Sequence, residues 1–291
     1  MRKVTLLIPV YNDWKSLNKL LENINTNISK LDYKVSIIIV NDASTEEKLK
    51  FSNIIENISS LKILNLKNNI GHTRCIATGL SHIIKNEEFD YVIPMDGDGE
   101  DRPEEIKNFL EITINKPGQV IVGERVKRSE KAIFKISYFF HKLITLTFTG
   151  ISIKFGNYTC LPKSTVKKMI NDKSTWNSFS GSLSKLEKKR INSPSIRGMR
   201  YFGPSKMSFR NLILHSFSIM SVFKLAVLIR SLVFLIFYFF LIKNNFSIIT
   251  IIPIFLVIFF SITIFILSQR ENMEEFTECL KNILNIEIIK K

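Results

Sequence analysis

Apolar residues along this chain follow two alternating rhythms. Continuous runs rich in β-branched residues, Lys3–Val10, Lys34–Val40, Leu61–Leu66, Tyr91–Met95 and Gln119–Val122, read as buried strands. Between them the apolar spacing becomes helical. Trp14, Leu17, Leu21, Ile24 and Ile28 predict an amphipathic helix after the first run. Leu49, Ile54, Ile55 and Ile58 predict a second, which Ser44 or Thr45 can cap. A third, carrying Ala77 and Gly79, follows the turn Asn68–Gly71, and Pro103 opens a fourth with Glu104 and Glu105 in its first turn. Strands alternating with helices imply an α/β fold whose mostly parallel sheet is covered on both faces. In such sheets ligands bind beyond the carboxyl ends of the strands.

The pattern changes further along. Ala132–Phe148 is rich in Phe and Tyr but broken by Lys135, His141 and Lys142, which suits a helix in a membrane headgroup region better than a core helix. Phe246–Leu267 gives 22 residues without a charge, about 33 Å of helix and enough to span a bilayer. Leu225–Ile242 is also long enough, although Arg230 interrupts it, and only Lys243-Asn244-Asn245 separates the two. They form a tight hairpin whose outer ends carry Lys224, Arg230 and Arg270, placing both on the cytoplasmic side. After it, Met273, Phe276, Leu280, Ile283 and Leu284 at helical spacing predict an amphipathic tail for a membrane surface or self-association.

Composition narrows the partners. The 291 residues carry a formal charge of +15, which implies anionic partners: phosphorylated small molecules, an acidic membrane surface or nucleic acid. The basic residues gather near the apolar segments, which argues against nucleic acid. Cys75, Cys160 and Cys279 are odd in number and lack metal-ligand spacing, so they read as reduced thiols in a cytoplasmic setting. Met1-Arg2-Lys3 runs straight into a strand, without the apolar region of a signal peptide.

The candidate chemistry lies in Met95-Asp96-Gly97-Asp98-Gly99-Glu100-Asp101-Arg102-Pro103. Carboxylates crowded at the end of a buried strand repel one another unless a cation joins them. Asp96 and Asp98 can both reach one hard divalent ion, for which oxygen ligands suit Mg²⁺ or Mn²⁺. A calcium loop of the EF-hand kind fails, because Asp101 and Lys107 stand where Gly and Glu are needed, and a dinucleotide fingerprint fails at Arg102. Asp13 and Asp42 also fall at strand ends, and a fold gains nothing structurally from gathering carboxylates at one edge.

The ordered set Pro9-Val10-Tyr11-Asn12-Asp13, Val40-Asn41-Asp42-Ala43-Ser44, Asn69-Ile70-Gly71 and Asp96-Gly97-Asp98 resembles the nucleotide-sugar domain of family 2, GT-A-fold inverting glycosyltransferases. Within them it is most similar to the polyprenyl-phosphate sugar synthases of the dolichol-phosphate-mannose-synthase-like group. The likeness covers roughly residues 3 to 210 and includes Gly123-Glu124-Arg125-Val126-Lys127-Arg128 and Gly203-Pro204-Ser205-Lys206. It implies a Rossmann-like catalytic domain, with Pro9, Tyr11, Asp13, Asp42, Arg74, Asp96 and Gly97 binding the nucleotide sugar and Asp96 and Asp98 holding the metal. Arg125 and Arg128, with Asp98, are the expected catalytic groups, because they follow the fifth strand's carboxyl end. Together with Ser205 and Lys206 they would also hold the acceptor phosphate. There are departures: Asp13 for Glu, Asn41 for Asp, Glu100 for Gln, and Gly156-Asn157-Tyr158 where the lipid-phosphate synthases have Gly-Asp-Phe.

The expectation is therefore inverting transfer of a hexose from a UDP- or GDP-linked donor to a polyprenyl phosphate at the cytoplasmic membrane face. A hydroxyl of a lipid-linked or surface glycan is the alternative acceptor, favoured by Asn157 and requiring a base such as Glu100 or Asp101. A non-catalytic membrane module is a third reading, opposed by the intact Asp42, Asp96 and Asp98. The expected organisation is a cytoplasmic catalytic domain over 1–210, interfacial segments at 132–150 and 207–223, spans at about 225–242 and 246–267, and a cytoplasmic tail over 268–291. Membrane lipids are expected partners and a homo-oligomer is possible.

Overall fold

The structure, a computed structural model, describes residues 1–29, 31–49, 55–127, 142–204 and 209–291. In chain order the sheet elements are β1 (Arg2–Val10), β2 (Tyr33–Asn41), β3 (Ser60–Leu66), β4 (Tyr91–Pro94), β5 (Val120–Lys127), β6 (Thr159–Pro162), β7 (Arg190–Ile196) and β8 (Ile283–Lys290). They form one sheet in the order β7-β5-β6-β4-β1-β2-β3-β8. Its centre is parallel, with β1 between β2 and β4. The strands β6 and β8 run antiparallel to their neighbours.

Helices cover both faces because the central strands are apolar on both. On one face α1 (Trp14–Ile28) buries Trp14, Leu17, Leu20, Leu21, Ile24 and Ile28 against Leu6, Ile8, Ile37 and Ile39, joined by Phe109 of α3 (Ile106–Asn115). On the other, α2 (His72–Asn86) sets Cys75, Ile76, Leu80 and Ile83 against Leu7, Ile38 and Val40. Gly79 is where α2 approaches β1 most closely: a Cβ there would stand 2.3 Å from Leu7 Cδ1. Pro103 does begin a helical segment, as a single 3-10 turn over Pro103–Glu105 before α3.

Beyond β5 the described chain contains a helix at 142–149 (α4), then α5 (Lys163–Ile170), α6 (Ser174–Asn177), α7 (Phe179–Leu186) and α8 (Phe209–Ser221). Two long helices follow, α9 (Lys224–Ile242) and α10 (Ile248–Ser268), 19 and 21 residues long, about 28 and 32 Å. Both are apolar and largely exposed along their length, the condition of a helix pair suited to lipid rather than a core. Ser247 and Thr250 form a capping box at the start of α10, so the turn between the helices is longer than the sequence pattern predicted. Arg230 donates to the Thr147 carbonyl near the end of α4. Phe148 of α4 and Phe217 of α8 pack on Phe260 of α10, so the part of the expected interfacial segment that is described docks on the hairpin. Residues 132–141 and 207–208 of the two interfacial expectations lie outside the described residues.

Two expectations are corrected. Of the predicted second helix, residues 43–49 and 55–59 are not helical, and residues 50–54, Ile54 among them, lie outside the described residues. Ser44 and Thr45 do not cap a helix but clasp the β1–α1 corner: the Asn12 N–H donates to Ser44 Oγ, and Asn12 Oδ1 accepts from the Thr45 N–H. The tail is not an amphipathic helix either. After α11 (Met273–Thr277) and a 3-10 turn at Cys279–Asn282, residues Ile283–Lys290 become β8 and pair antiparallel with β3. Helical spacing among Met273, Phe276 and Leu280 is real for one turn. The β-branched residues Ile283, Ile286, Ile288 and Ile289 then satisfy the otherwise unpaired backbone of β3.

Candidate active site

The parallel strands deliver their loops to one edge. At the end of β1, Tyr11 is exposed and Asp13 stands at the N-terminus of α1. At the end of β2, Asp42 is buried, with its carboxylate taken by the main chain of the β3–α2 turn: Oδ1 accepts from the Ile70 N–H at 2.7 Å and Oδ2 from the Gly71 N–H at 2.9 Å. Asp42 thus holds the turn between β3 and α2. After β4 comes the carboxylate loop. Gly97 lies against β1, where a Cβ would stand 3.2 Å from the Pro9 carbonyl.

Within the loop each carboxylate has its own surroundings. Asp101 is buried and accepts from the Asp96 N–H. Asp98 accepts from the Glu100 N–H through Oδ1 and from Arg200 through Oδ2. Asp96 Oδ1 is buried without a hydrogen bond and lies 3.3 Å from His72 Nε2. Burial and the Asp96 charge push the Asp98 carboxyl up to about 6 and Asp101 up to about 8. Burial works against ionisation of Asp96 as well, but His72, Arg125 and Arg197 outweigh it and hold Asp96 below the usual carboxylate range. Burial likewise opposes charge on His72, while its contact with Asp96 and the charges of Asp96, Asp101 and Asp98 raise its pKa.

A strap over residues 197–204 closes on this loop. The Gly198 N–H donates to the Glu100 carbonyl and the Tyr201 N–H to the Asp98 carbonyl. The Tyr201 ring covers Gly99, whose φ of +91° and lack of Cβ admit it: a Cβ would stand 2.4 Å from the ring. Asn23 of α1 donates to the Tyr201 hydroxyl. Arg197 pairs with Glu100, and Arg200 bridges Asp13 and Asp98. Nothing in the local sequence around Arg200 marks it. Its identity as the group joining the β1 and β4 loops needed the fold.

The remaining expected site residues divide three ways. Arg125, near the end of β5, has its guanidinium by Gly156, and its positive charge favours ionisation of Asp96 and Asp101. Arg74 is not beside the carboxylates: its guanidinium stacks 4.9 Å from the Trp176 ring and pairs with Glu275, so it joins α2 to the segment after α10. Arg128, Ser205 and Lys206 lie outside the described residues. Asn157, the departure from the synthase pattern, is in the site, with its amide nitrogen 2.7 Å from His72 Nε2.

The donor chemistry suits a hard divalent cation, because a buried carboxylate oxygen without a hydrogen bond is what such an ion would satisfy. Among the described residues no three His, Cys, Asp or Glu side chains converge on one point. Asp98 is turned towards Arg200, leaving Asp96 alone at the orphaned position.

A mostly parallel sheet with an acidic loop after its fourth strand, beside a loop-borne arginine, is an arrangement of the GT-A class. Residues 5–200 match glycosyl transferase family 2, and the chain belongs to that family. Over 228 residues, 73% of this chain, it is 27% identical to an undecaprenyl-phosphate 4-deoxy-4-formamido-L-arabinose transferase of Klebsiella pneumoniae (strain 342), of whose length it spans 65%. Solved structures share the fold. A mannosyltransferase from Pyrobaculum calidifontis, in complex with GDP-Man and Mn²⁺, covers 97% of this chain and 87% of its own at a TM-score of 0.50 and 14% identity. Glucosyl-3-phosphoglycerate synthase from Mycobacterium tuberculosis, with Mn²⁺, UDP and glucosyl-3-phosphoglycerate, covers 78% and 80% at 0.53 and 10% identity. Mannosyl-3-phosphoglycerate synthase from Rubrobacter xylanophilus covers 76% and 72% at 0.54 and 12% identity.

Proposed function

We propose that this chain is a membrane-anchored inverting glycosyltransferase. It moves a hexose from a UDP- or GDP-linked donor to a polyprenyl phosphate at the cytoplasmic membrane face, with Mg²⁺ or Mn²⁺ bound at Asp96 and Asp98. The observation that carries the reading is the gathering of Asp13, Asp42, Asp96 and Asp98 at the carboxyl ends of β1, β2 and β4, in a chain that continues into two apolar helices of membrane-spanning length. The named acceptor of the Klebsiella relative supports a lipid phosphate.

The bound cation would neutralise charge developing on the leaving diphosphate. The chain's own residues place the reactants. Tyr11 and the β1 loop lie open for the nucleotide, and Arg125 offers a cation beside the carboxylates. In the step itself, a phosphate oxygen of the acceptor forms a bond to the anomeric carbon from the face opposite the diphosphate. The bond from that carbon to the diphosphate oxygen breaks, and no proton moves. A hydroxyl acceptor would need a base, but both sequence candidates are engaged: Glu100 is paired with Arg197, and Asp101 is buried against the Asp96 N–H. That favours an acceptor already anionic.

The hairpin topology supports one-sided anchoring. After α10 the chain returns to the catalytic domain: Phe276 stacks on Trp176, Trp176 Nε1 donates to Glu275, and β8 joins the sheet. Both outer ends of the hairpin therefore face the sheet domain, and Lys224 and Arg270 at those ends support a cytoplasmic placement of that side.

The test is transfer of labelled sugar by the purified protein in detergent, from UDP-glucose, UDP-N-acetylglucosamine, UDP-galactose and GDP-mannose, with Mn²⁺ or Mg²⁺ and with or without undecaprenyl phosphate. Label that enters the organic phase only with the lipid phosphate, and is lost in Asp98→Ala, supports the reading. Donor binding without lipid labelling would shift it to a glycan hydroxyl. Neither binding nor transfer would leave a non-catalytic module.

A further inference from the structure

The orphaned oxygen of Asp96 has two neighbours that the acidic motif does not include. His72 opens α2 immediately after Gly71, whose φ of +87° turns the chain into the helix and brings the imidazole over the β4 loop. Its Nε2 lies 3.3 Å from Asp96 Oδ1 and 2.7 Å from the amide of Asn157. Two donors each ~2.1 Å from one octahedral ion and at right angles to it are about 3.0 Å apart. Both separations bracket that value. The longer one is poor for a hydrogen bond and well suited to two ligands of a shared cation. Buried Asp96 Oδ1 meets the geometry of no hydrogen bond and has only the His72 ring, at a long 3.3 Å, beside it, a contact that a shared cation would improve on. The amide of Asn157 can present either its nitrogen or its oxygen to the same point by a flip about its last torsion.

We infer that His72 and Asn157 complete the cation site with Asp96, so that a divalent metal here is held by an imidazole nitrogen, an amide oxygen and a carboxylate, with Asp98 joining once Arg200 releases it. The inference rests on the metal dependence proposed above and adds ligands that the Asp-x-Asp motif does not contain. It accounts for Asn157: where neighbouring carboxylates already crowd the loop, an amide keeps the oxygen donor and removes one negative charge. It also sets a metal preference. An imidazole ligand favours Mn²⁺ or Co²⁺ over Mg²⁺, which takes oxygen ligands and keeps its waters.

The experiment uses the full chain in detergent, titrated with Mn²⁺ alone and read by electron paramagnetic resonance. Free Mn²⁺ gives the affinity, and the electron spin echo modulation from ¹⁴N reports a coordinated imidazole. Wild type should show ¹⁴N modulation and bind Mn²⁺ at least about tenfold more tightly than Mg²⁺ in competition. His72→Ala should lose the modulation and bind Mn²⁺ about tenfold more weakly. Asn157→Asp should keep the modulation and bind more tightly, which separates a ligand role from simple misfolding. Thermal melting in EDTA checks that both variants fold. Mn²⁺ that binds in an Asp96-dependent manner without ¹⁴N modulation, or with modulation that survives His72→Ala, overturns the inference and leaves the glycosyltransferase reading intact. A wild-type protein that holds no Mn²⁺ overturns the inference together with the metal dependence on which it rests.

Discussion

Arg200 bridges two carboxylates that the chain brings together from different strands, and replacing it with Gln tests that arrangement. The guanidinium is 13% exposed, Asp13 20% and Asp98 16%. Removing one partner of a fully buried pair costs about 3–5 kcal/mol. Partial exposure and screening reduce this, so Arg200→Gln should destabilise the metal-free protein by about 2–3 kcal/mol. At ~2–4 °C per kcal/mol for a domain of this size, the melting temperature in EDTA should fall by about 4–12 °C. Mn²⁺ should act in the opposite direction. In wild type the ion must detach Asp98 from Arg200, whereas in the variant Asp98 is already free. The variant should therefore bind Mn²⁺ more tightly by about 1–2 kcal/mol, or about 5–30-fold, and the gap in melting temperature should narrow as Mn²⁺ is added. Differential scanning fluorimetry in detergent, with EDTA and then with graded Mn²⁺, measures both. A variant that melts with wild type in EDTA, or that binds Mn²⁺ more weakly, would refute the idea that Arg200 holds the place of a cation between the two loops.

Three further outcomes test the frame around the site. Phe276→Ala should cost about 3–4 kcal/mol, seen as a lower melting temperature and faster proteolysis after residue 272, because the ring is fully buried and stacked on Trp176. Gly79→Ala should cost about 1–3 kcal/mol by forcing α2 away from Leu7; a neutral effect would mean the helix and β1 are not in close contact. His82 is buried, and burial, opposed only in part by Glu87, lowers its pKa. Its native state binds fewer protons than the unfolded state, so the stability it contributes is present above pH 6.5 and is lost as pH falls through the lowered value. Wild type should lose more melting temperature between pH 7 and pH 5 than His82→Gln, and equal slopes would sink this account.

Much of the fold was legible because its signals are local. The runs that became β1, β2 and β4 are apolar on both faces, so they could only be buried, and the first helical spacing returned as α1 with Trp14, Leu17, Leu21, Ile24 and Ile28 inside. Leu49, Ile55 and Ile58 carried the same spacing without making a helix in the described residues: Asn12 captures Ser44 and Thr45 from 32 and 33 positions away, and that competition leaves no local trace. Ile283–Ile289 misled for a similar reason. The residues suit a helix or a strand, and only the open edge of β3 selects the strand.

By itself the sequence determined the alternation of strands and helices, the carboxylates at the strand ends and the apolar hairpin, since each depends on residues within one turn or one strand. Tertiary structure alone decided which charges meet. Arg200 reaches Asp98 across 102 positions and Asp13 across 187, Arg74 turns away to Glu275, and His72 comes to rest beside Asp96 and Asn157. Charge partners of this kind are chosen by where the sheet order brings the loops, and pairwise attraction carries no sequence periodicity from which that order could be read.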